Sequence, residues 1–273
     1  MSIFTPFTFI APEVASITPG PSATVTTRGL VSYFDPNNGA SYPGSGSIVY
    51  DLQGTNNLTL VNAATGSWTD SGSYKFFSFP SSDQNALAVK GQGYGAPIGI
   101  PFSASSFSMG GWVNWQSPNG YYFQTFVQQQ GVDGRLAGRG GCINYWLQND
   151  TTLEASYGSS VNAQVVSLPD TASGANWYNV MITVENVGGM NRLMSVYING
   201  VAATSSVAIN QGLIDNVDSG PWIGFGGIAN GFNINDAAFQ LHGGVGPTYW
   251  YNTCLSGSEV LDNFNADKAK YGR

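Results

Sequence analysis

Charge is what this sequence has least of. Only 9% of its 273 residues are Asp, Glu, Lys or Arg, against about 25% in an average globular chain. Nine Lys plus Arg stand against sixteen Asp plus Glu, the net charge is −7, and no basic cluster occurs anywhere. Nucleic-acid binding rests on neutralising phosphates, so no nucleic-acid partner is expected, and anionic membrane surfaces are disfavoured for the same reason. Histidine occurs once, at His242, and cysteine twice, at Cys142 and Cys254. That set makes neither a zinc site nor a disulfide framework. The two cysteines stand as semi-buried free thiols or as a single disulfide. No segment approaches the ~20 apolar residues of a membrane span. The start, "MSIFTPFTFIAPEV", has no basic region and no apolar run of signal-peptide length, so folding in a cytoplasm is expected.

What is present points to a packed β protein. Glycine numbers 36 and hydrophobic residues make up 42%, while Ser, Thr, Asn and Gln supply the polarity. Aromatic and β-branched residues are too many for disorder. The length suits one large all-β domain or two smaller ones, with a core that needs no staples. No internal repeat and no second domain boundary is visible.

Residues 1–28 differ from the rest, with one acid (Glu13), one base (Arg28) and four prolines. Phe4, Phe7, Phe9 and Ile10 fit no helix because prolines intervene, and "ITPGPSATVTT" reads as a stiff, extended connector. An exposed aromatic arm is a liability unless it docks. It either packs on its own domain or anchors onto a neighbouring chain.

From residue 29 the pattern is strands. In "WYNVMITVEN", Tyr178, Val180, Ile182 and Val184 share one face, and in "RLMSVYING", Met194, Val196 and Ile198 do the same. "NVGGMN" closes a hairpin between these runs, and Asn199-Gly200 is a type I′ turn signal. Similar runs are "SFSMGGWVNW", "YYFQTFVQQQ", "CINYWLQN", "TLEASY", "AQVVSL", "GPWIGFGG" and "FQLHGGVGPTYWYN". More than ten short strands between turn signals predict a β-sandwich. One helix is predicted, in "LSGSEVLDNFNADKAKYGR". Ser256 and Glu259 form a capping box, Leu255 and Val260 take the staple positions, Leu261 and Phe264 share a side, and Lys268 and Lys270 fall in the last turn.

The ordered set of these stretches resembles the concanavalin A-like lectin/glucanase superfamily, specifically its LamG-like jelly-roll modules. "GLVSYFDPNNGASYPGSGSIVYDLQGTNNLTLVNA" is similar to their opening strand and loop. "SFPSSDQNALAV", "FSMGGWVNW", "NWYNVMITVEN…LMSVYINGVAAT" and "GGVGPTYWYNTCLSGSEVLDNFNADKAKYG" follow in the modules' order. The resemblance implies an all-β jelly-roll sandwich of two antiparallel sheets over residues 29–273, with one short C-terminal helix, preceded by the 1–28 arm. The "SYPGSG" opening resembles modules of tailed-phage and other viral structural proteins. That implies a virion protein, a capsid decoration or tail-associated module made in the host cytoplasm. The Phe4, Phe7, Phe9 and Ile10 arm would hold it to a neighbouring capsid or tail protein, and a homo-oligomer fits such a role. The alternative is a carbohydrate-binding adhesin that contacts host-surface glycans.

Catalytic patterns are thin. Glycoside hydrolysis needs two carboxyls flanking the bond, and the glucanase branch's E-x-D-x-(x)-E strand is missing. Of four glutamates, Glu13 lies in the arm, Glu259 caps the helix, Glu185 ends a hairpin strand and Glu154 has no acid two residues away. His242, on a strand, reads as a backbone-satisfied histidine rather than a triad member. "GQGYGAPIG" and "GRLAGRGG" lack the lysine and helix of a nucleotide loop. No enzymatic activity is therefore expected. Glycan recognition uses aromatic platforms beside loop Asn, Asp and Gly. The candidates are Trp115, Tyr121, Tyr122, Trp146 and Tyr157, although such residues mostly build cores. For calcium, "DPNNGASYPGSG" fails the EF-hand spacing, with its first glycine at position five and no closing glutamate. The scattered ligands of LamG modules leave Asp35, Asp51, Asp133 and Asp150 as calcium candidates, with nothing selecting among them. Asp35 and Asp51 read first as turn caps.

Overall fold

The computed structural model describes residues 24–54, 56–61, 68–79, 86–89, 106–115, 124–130, 142–149, 152–158, 163–170, 176–189, 191–204, 207–210, 222–225, 241 and 243–273. Among them the chain forms two antiparallel sheets and one helix. The first sheet runs β14 (Val201–Ala202), β13 (Asn191–Ile198), β12 (Trp177–Gly188), β7 (Phe107–Trp115), β17 (Gly243–Tyr251), β5 (Lys75–Phe79) and β4 (Trp68–Asp70). β1 (Leu30–Phe34) also pairs with β17, and β15 (Val207–Asn210) with β13. The second sheet runs β11 (Ala163–Ser167), β10 (Thr152–Gly158), β9 (Cys142–Asn149), β8 (Gln124–Gln130), β16 (Trp222–Phe225), β6 (Ala86–Val89), β3 (Leu58–Val61) and β2 (Ile48–Val49). Helix α1 (Gly257–Asp267) follows the last strand.

Period-two alternation explains how the sheets stack. Tyr178, Val180, Ile182 and Val184 on β12 and Met194, Val196 and Ile198 on β13 all enter one core. Leu58, Leu60, Leu153, Ala155 and Val166 reach the same core from the second sheet, so the two layers form a sandwich. Each fully buried aliphatic side chain there contributes about 1.5–3 kcal/mol. The β12–β13 hairpin closes as the sequence predicts, and Asn199 (φ 53°) with Gly200 (φ 76°) has the backbone of a type I′ turn.

A second apolar layer lies on the other face of the first sheet. Trp112, Trp177, Met181, Tyr249 and Tyr251 meet Leu255, Val260 and Tyr271 there, beneath α1 and the last residues of the chain. β17 serves both layers by breaking its own alternation. Val245 and Trp250 lie an odd number of residues apart, yet both face the inter-sheet core. A register shift between Val245 and Thr248 supplies the extra residue, and Pro247, which has no N–H for the ladder, sits within it. Gly244 and Gly246 leave room for the aromatics: a Cβ on the first would lie 2.7 Å from Phe76, and one on the second 2.7 Å from the Tyr271 hydroxyl.

The helix differs from expectation in two places. Its buried side is Val260, Asn263 and Asp267, whereas Leu261 is 40% exposed. It also ends at Asp267, so Lys268 is the C-cap and Lys270 lies beyond it. The capping box is present, with Ser256 and Glu259 each binding the other's backbone N–H. No helix among the described residues is long and apolar enough to cross a membrane.

The end of the Pro-rich segment lies on the helix. The Thr26 N–H donates to Asn263 Oδ1 (2.8 Å) and its hydroxyl to the Glu259 carbonyl (3.1 Å). Arg28 grips the Glu259 carboxylate through two nitrogens, at 2.5 and 2.6 Å. Phe4, Phe7, Phe9 and Ile10 lie outside the described residues.

Candidate functional site

Three segments distant in sequence meet at one edge of the first sheet and border an open cleft of about 500 Å3. Its lining is the loop after β1 (Asp35, Asn37, Asn38, Gly39), the β4–β5 hairpin (Asp70, Gly72, Ser73, Tyr74, Lys75) and Lys270 after the helix.

Each wall is held by chemistry local to it. Asp35 caps its loop: Oδ1 accepts from the Asn37 N–H (2.9 Å) and side-chain amide (2.8 Å), and Oδ2 accepts from the Tyr33 hydroxyl (3.2 Å). The hairpin is an Asx turn, with Asp70 Oδ1 accepting from the Gly72 N–H at 2.9 Å. Asp70 and Lys75 face each other across that hairpin, 3.5 Å apart, and the Lys75 ammonium lies 5.2 Å from the Trp68 ring centre. Lys270 is held by the buried Asp267 at 2.6 Å. Burial pushes the Asp267 carboxyl up despite that bond. Burial also pulls the Lys270 ammonium down, but the hydrogen bond and charge of Asp267 outweigh it and leave the group raised.

Asn37 joins the walls. Its Oδ1 accepts from the Lys75 N–H (2.6 Å), and its Nδ2 donates to Asp35 Oδ1 and to the Tyr271 hydroxyl (3.1 Å). Tyr271, 4% exposed, is wedged among Trp112, Trp177 and Tyr74 with ring centres 4.7–5.0 Å apart. Trp177 in turn donates its indole N–H to the Tyr74 hydroxyl (3.2 Å). The cleft is thus a polar surface laid on a rigid aromatic base.

The sequence-selected residues fall elsewhere, with one exception. Trp115 is fully buried in the inter-sheet core beside Tyr178, so it presents no face to a sugar. Its position in phase with Met109 and Val113 on β7 accounts for this. Trp146 and Tyr157 stand on β9 and β10, paired with Glu154 and Ile143, and their side chains lie outside the described set. Tyr121, Tyr122, Asp133, Asp150 and His242 also lie outside the described residues. Asp51 is a turn cap, accepting from the Ser32 hydroxyl and from the N–H groups of Tyr33 and Gln53. Only Asp35 belongs to the cleft, and there it too closes its own loop. Among the described residues no group of three or more His, Cys, Asp or Glu is placed to hold a metal ion. Cys254 is a half-buried free thiol, and its burial pushes the pKa up.

No protein-family model matches the sequence, and no curated protein does. Solved structures do match. A Trypanosoma rangeli sialidase, in complex with a difluoro sugar acid, aligns with a TM-score of 0.63 at 17% identity over 96% of this chain and 36% of that one. The binding domain of botulinum neurotoxin serotype D aligns at 0.51 with 13% identity, over 88% of this chain and 51% of that one. Botulinum neurotoxin type C, from a study of cell entry through two ganglioside molecules, aligns at 0.52 with 13% identity, over 87% and 51%. This chain therefore spans about a third of the sialidase and about half of the toxin chains. The likeness is one of fold. It corrects the expectation of no enzymatic activity: the thin catalytic patterns do not support that exclusion when the same fold forms part of sialidases, which are enzymes.

Proposed function

We propose that this chain is a glycan-recognition module of the concanavalin A-like jelly-roll kind. The observation that carries the reading is the cleft. Its side chains offer carboxylates and amides as acceptors and ammonium groups and hydroxyls as donors around one aromatic residue, Tyr74. Its volume of about 500 Å3 lies within the roughly 300–1,000 Å3 of small-molecule sites. A saccharide, which donates and accepts at every hydroxyl, matches that mixture. The similar structures, a toxin binding domain, a toxin whose cell entry depends on gangliosides and a sialidase in complex with a sugar acid, lend support. A glycan array tests it. Gly39 borders the cleft and a Cβ there meets no heavy atom within 4 Å, so Gly39→Trp is the substitution chosen to add bulk at its rim. Binding is expected for the native chain and is expected to fall at least tenfold in the variant. Silence of the native chain across the array would sink the reading.

A second reading is that residues 1–23 anchor the module to a neighbouring chain, as in a virion decoration or tail-associated protein. The observation that favours it is the fixing of residues 24–28 on α1, which gives such an arm a defined point of departure. Deleting residues 1–23 is expected to leave the melting temperature within a few degrees while abolishing incorporation into particles. Unchanged incorporation would remove the anchoring role.

A further inference from the structure

We infer that the cleft is built for an uncharged saccharide and discriminates against acidic ones. The inference rests on the glycan-recognition reading. Two ammonium groups line the cleft, and both are already matched by a carboxylate: Lys75 by Asp70 at 3.5 Å and Lys270 by Asp267 at 2.6 Å. Asp35 adds a further carboxylate to the lining, and among the described residues no cation bonds to it. Three acids thus stand against two bases in and directly behind the wall. Among the described residues no arginine lines the site, so none of them supplies the forked donor that clamps a carboxylate or sulfate through two bonds. The chain as a whole carries −7, which adds to the repulsion of an anion.

Uncharged hydroxyls face no such penalty. The ion-paired lysines retain N–H donors, since an ammonium has three and each pair uses few of them. Their side chains are 38% and 44% exposed, so those donors reach solvent. Asp70 is 45% exposed and gives Oδ1 to its own turn, which leaves Oδ2 as an acceptor shared with Lys75. The Asn38 side chain, exposed at the rim, accepts from the Ala40 N–H at 2.9 Å, and its amide nitrogen makes no hydrogen bond among the described residues. Paired charges of this kind present donors and acceptors without a free cation, which is what a polyol needs and what an acidic sugar does not.

The test uses the full chain and pairs of immobilised glycans that differ only in a terminal sialic acid or sulfate, with Kd measured for each member. The uncharged member is expected to bind at least tenfold more tightly, with binding lost in Gly39→Trp. The Asp70→Asn variant keeps the turn, because an amide oxygen still accepts from the Gly72 N–H, but it frees Lys75 from its counter-charge. Its preference for the uncharged member is expected to shrink several-fold, more at low salt than at high. Equal or tighter binding of the acidic members by the native chain overturns the inference and leaves glycan recognition standing. So does an Asp70→Asn preference that does not move. Binding that survives Gly39→Trp puts the ligand elsewhere and overturns it as well. Silence on every glycan instead removes the reading beneath it.

Discussion

Asn37 shows how a single side chain can build a site without touching chemistry of its own. It closes three hydrogen bonds, to Asp35 in its own loop, to the Lys75 N–H of the hairpin and to the Tyr271 hydroxyl at the end of the chain. Removing it leaves a half-buried donor unpaired, which costs about 1–3 kcal/mol. Asn37→Ala is expected to lose that much stability in urea melts and to weaken glycan binding at least tenfold. Its neighbour offers the control. Asn38→Ala is expected to weaken binding while stability stays within about 0.5 kcal/mol, because the side chain is exposed. Equal stability losses at the two positions would contradict the wall-joining role. Nothing in the sequence separates Asn37 from Asn38, since both are loop asparagines of identical composition. The difference arises only when the β4–β5 hairpin arrives beside one of them.

At the scale of elements, α1 is where local sequence and tertiary structure meet. Its start was legible, because a capping box and a staple are written within a few residues. Its end and its buried side were not. Asn263 and Asp267 are polar, so an apolar-stripe reading places them in solvent, yet they are buried as acceptors for Thr26, Tyr251, Tyr249 and Lys270. The contact with residues 24–28 carries a pH signature. The hydrogen bonds from Arg28, with help from Ser256, hold the Glu259 carboxyl at about 2, below its ordinary 4.5. A depressed carboxyl stabilises the fold fully above about pH 4.5, and the contribution is lost as pH falls towards 2. Arg28 is 53% exposed, so solvent screening holds the effect to about 1 kcal/mol or less. Arg28→Gln is therefore expected to be less stable than the native chain at pH 6, with the gap narrowing towards pH 2 to what the bonds of Arg28 to Thr253 and the Cys254 carbonyl leave. A stability gap constant over that range in urea melts would exclude the linkage.

For the molecule as a whole, the sandwich was legible because each strand carries its own alternation and each turn its own residues, as in the 177–198 hairpin. The cleft was not, because no local pattern joins residue 37 to 75 and 271. The "DSGS" turn could have set Asp70 opposite Lys75, but nothing in the chain's order brings Lys270 to them. The aromatic residues misled for the same reason: period two puts Trp115 inside and leaves Trp112 for the helix side, and only the layer beneath α1 shows that both faces of β7 are buried. The fastening of residues 24–28 also has a mechanical meaning. A pull on the chain ahead of Val25 does not reach the sandwich first. It loads the Thr26 and Arg28 bonds to α1, and then β1, whose partner β17 runs directly into that helix. The helix acts as a fuse, expected in optical-trap traces as a small early extension before the sheets rupture, and absent in Arg28→Gln at the same force. Because the cleft is walled by the loop after β1 and by Lys270 behind α1, a module tethered through this segment would open its cleft as the rim yields, before the sheets part.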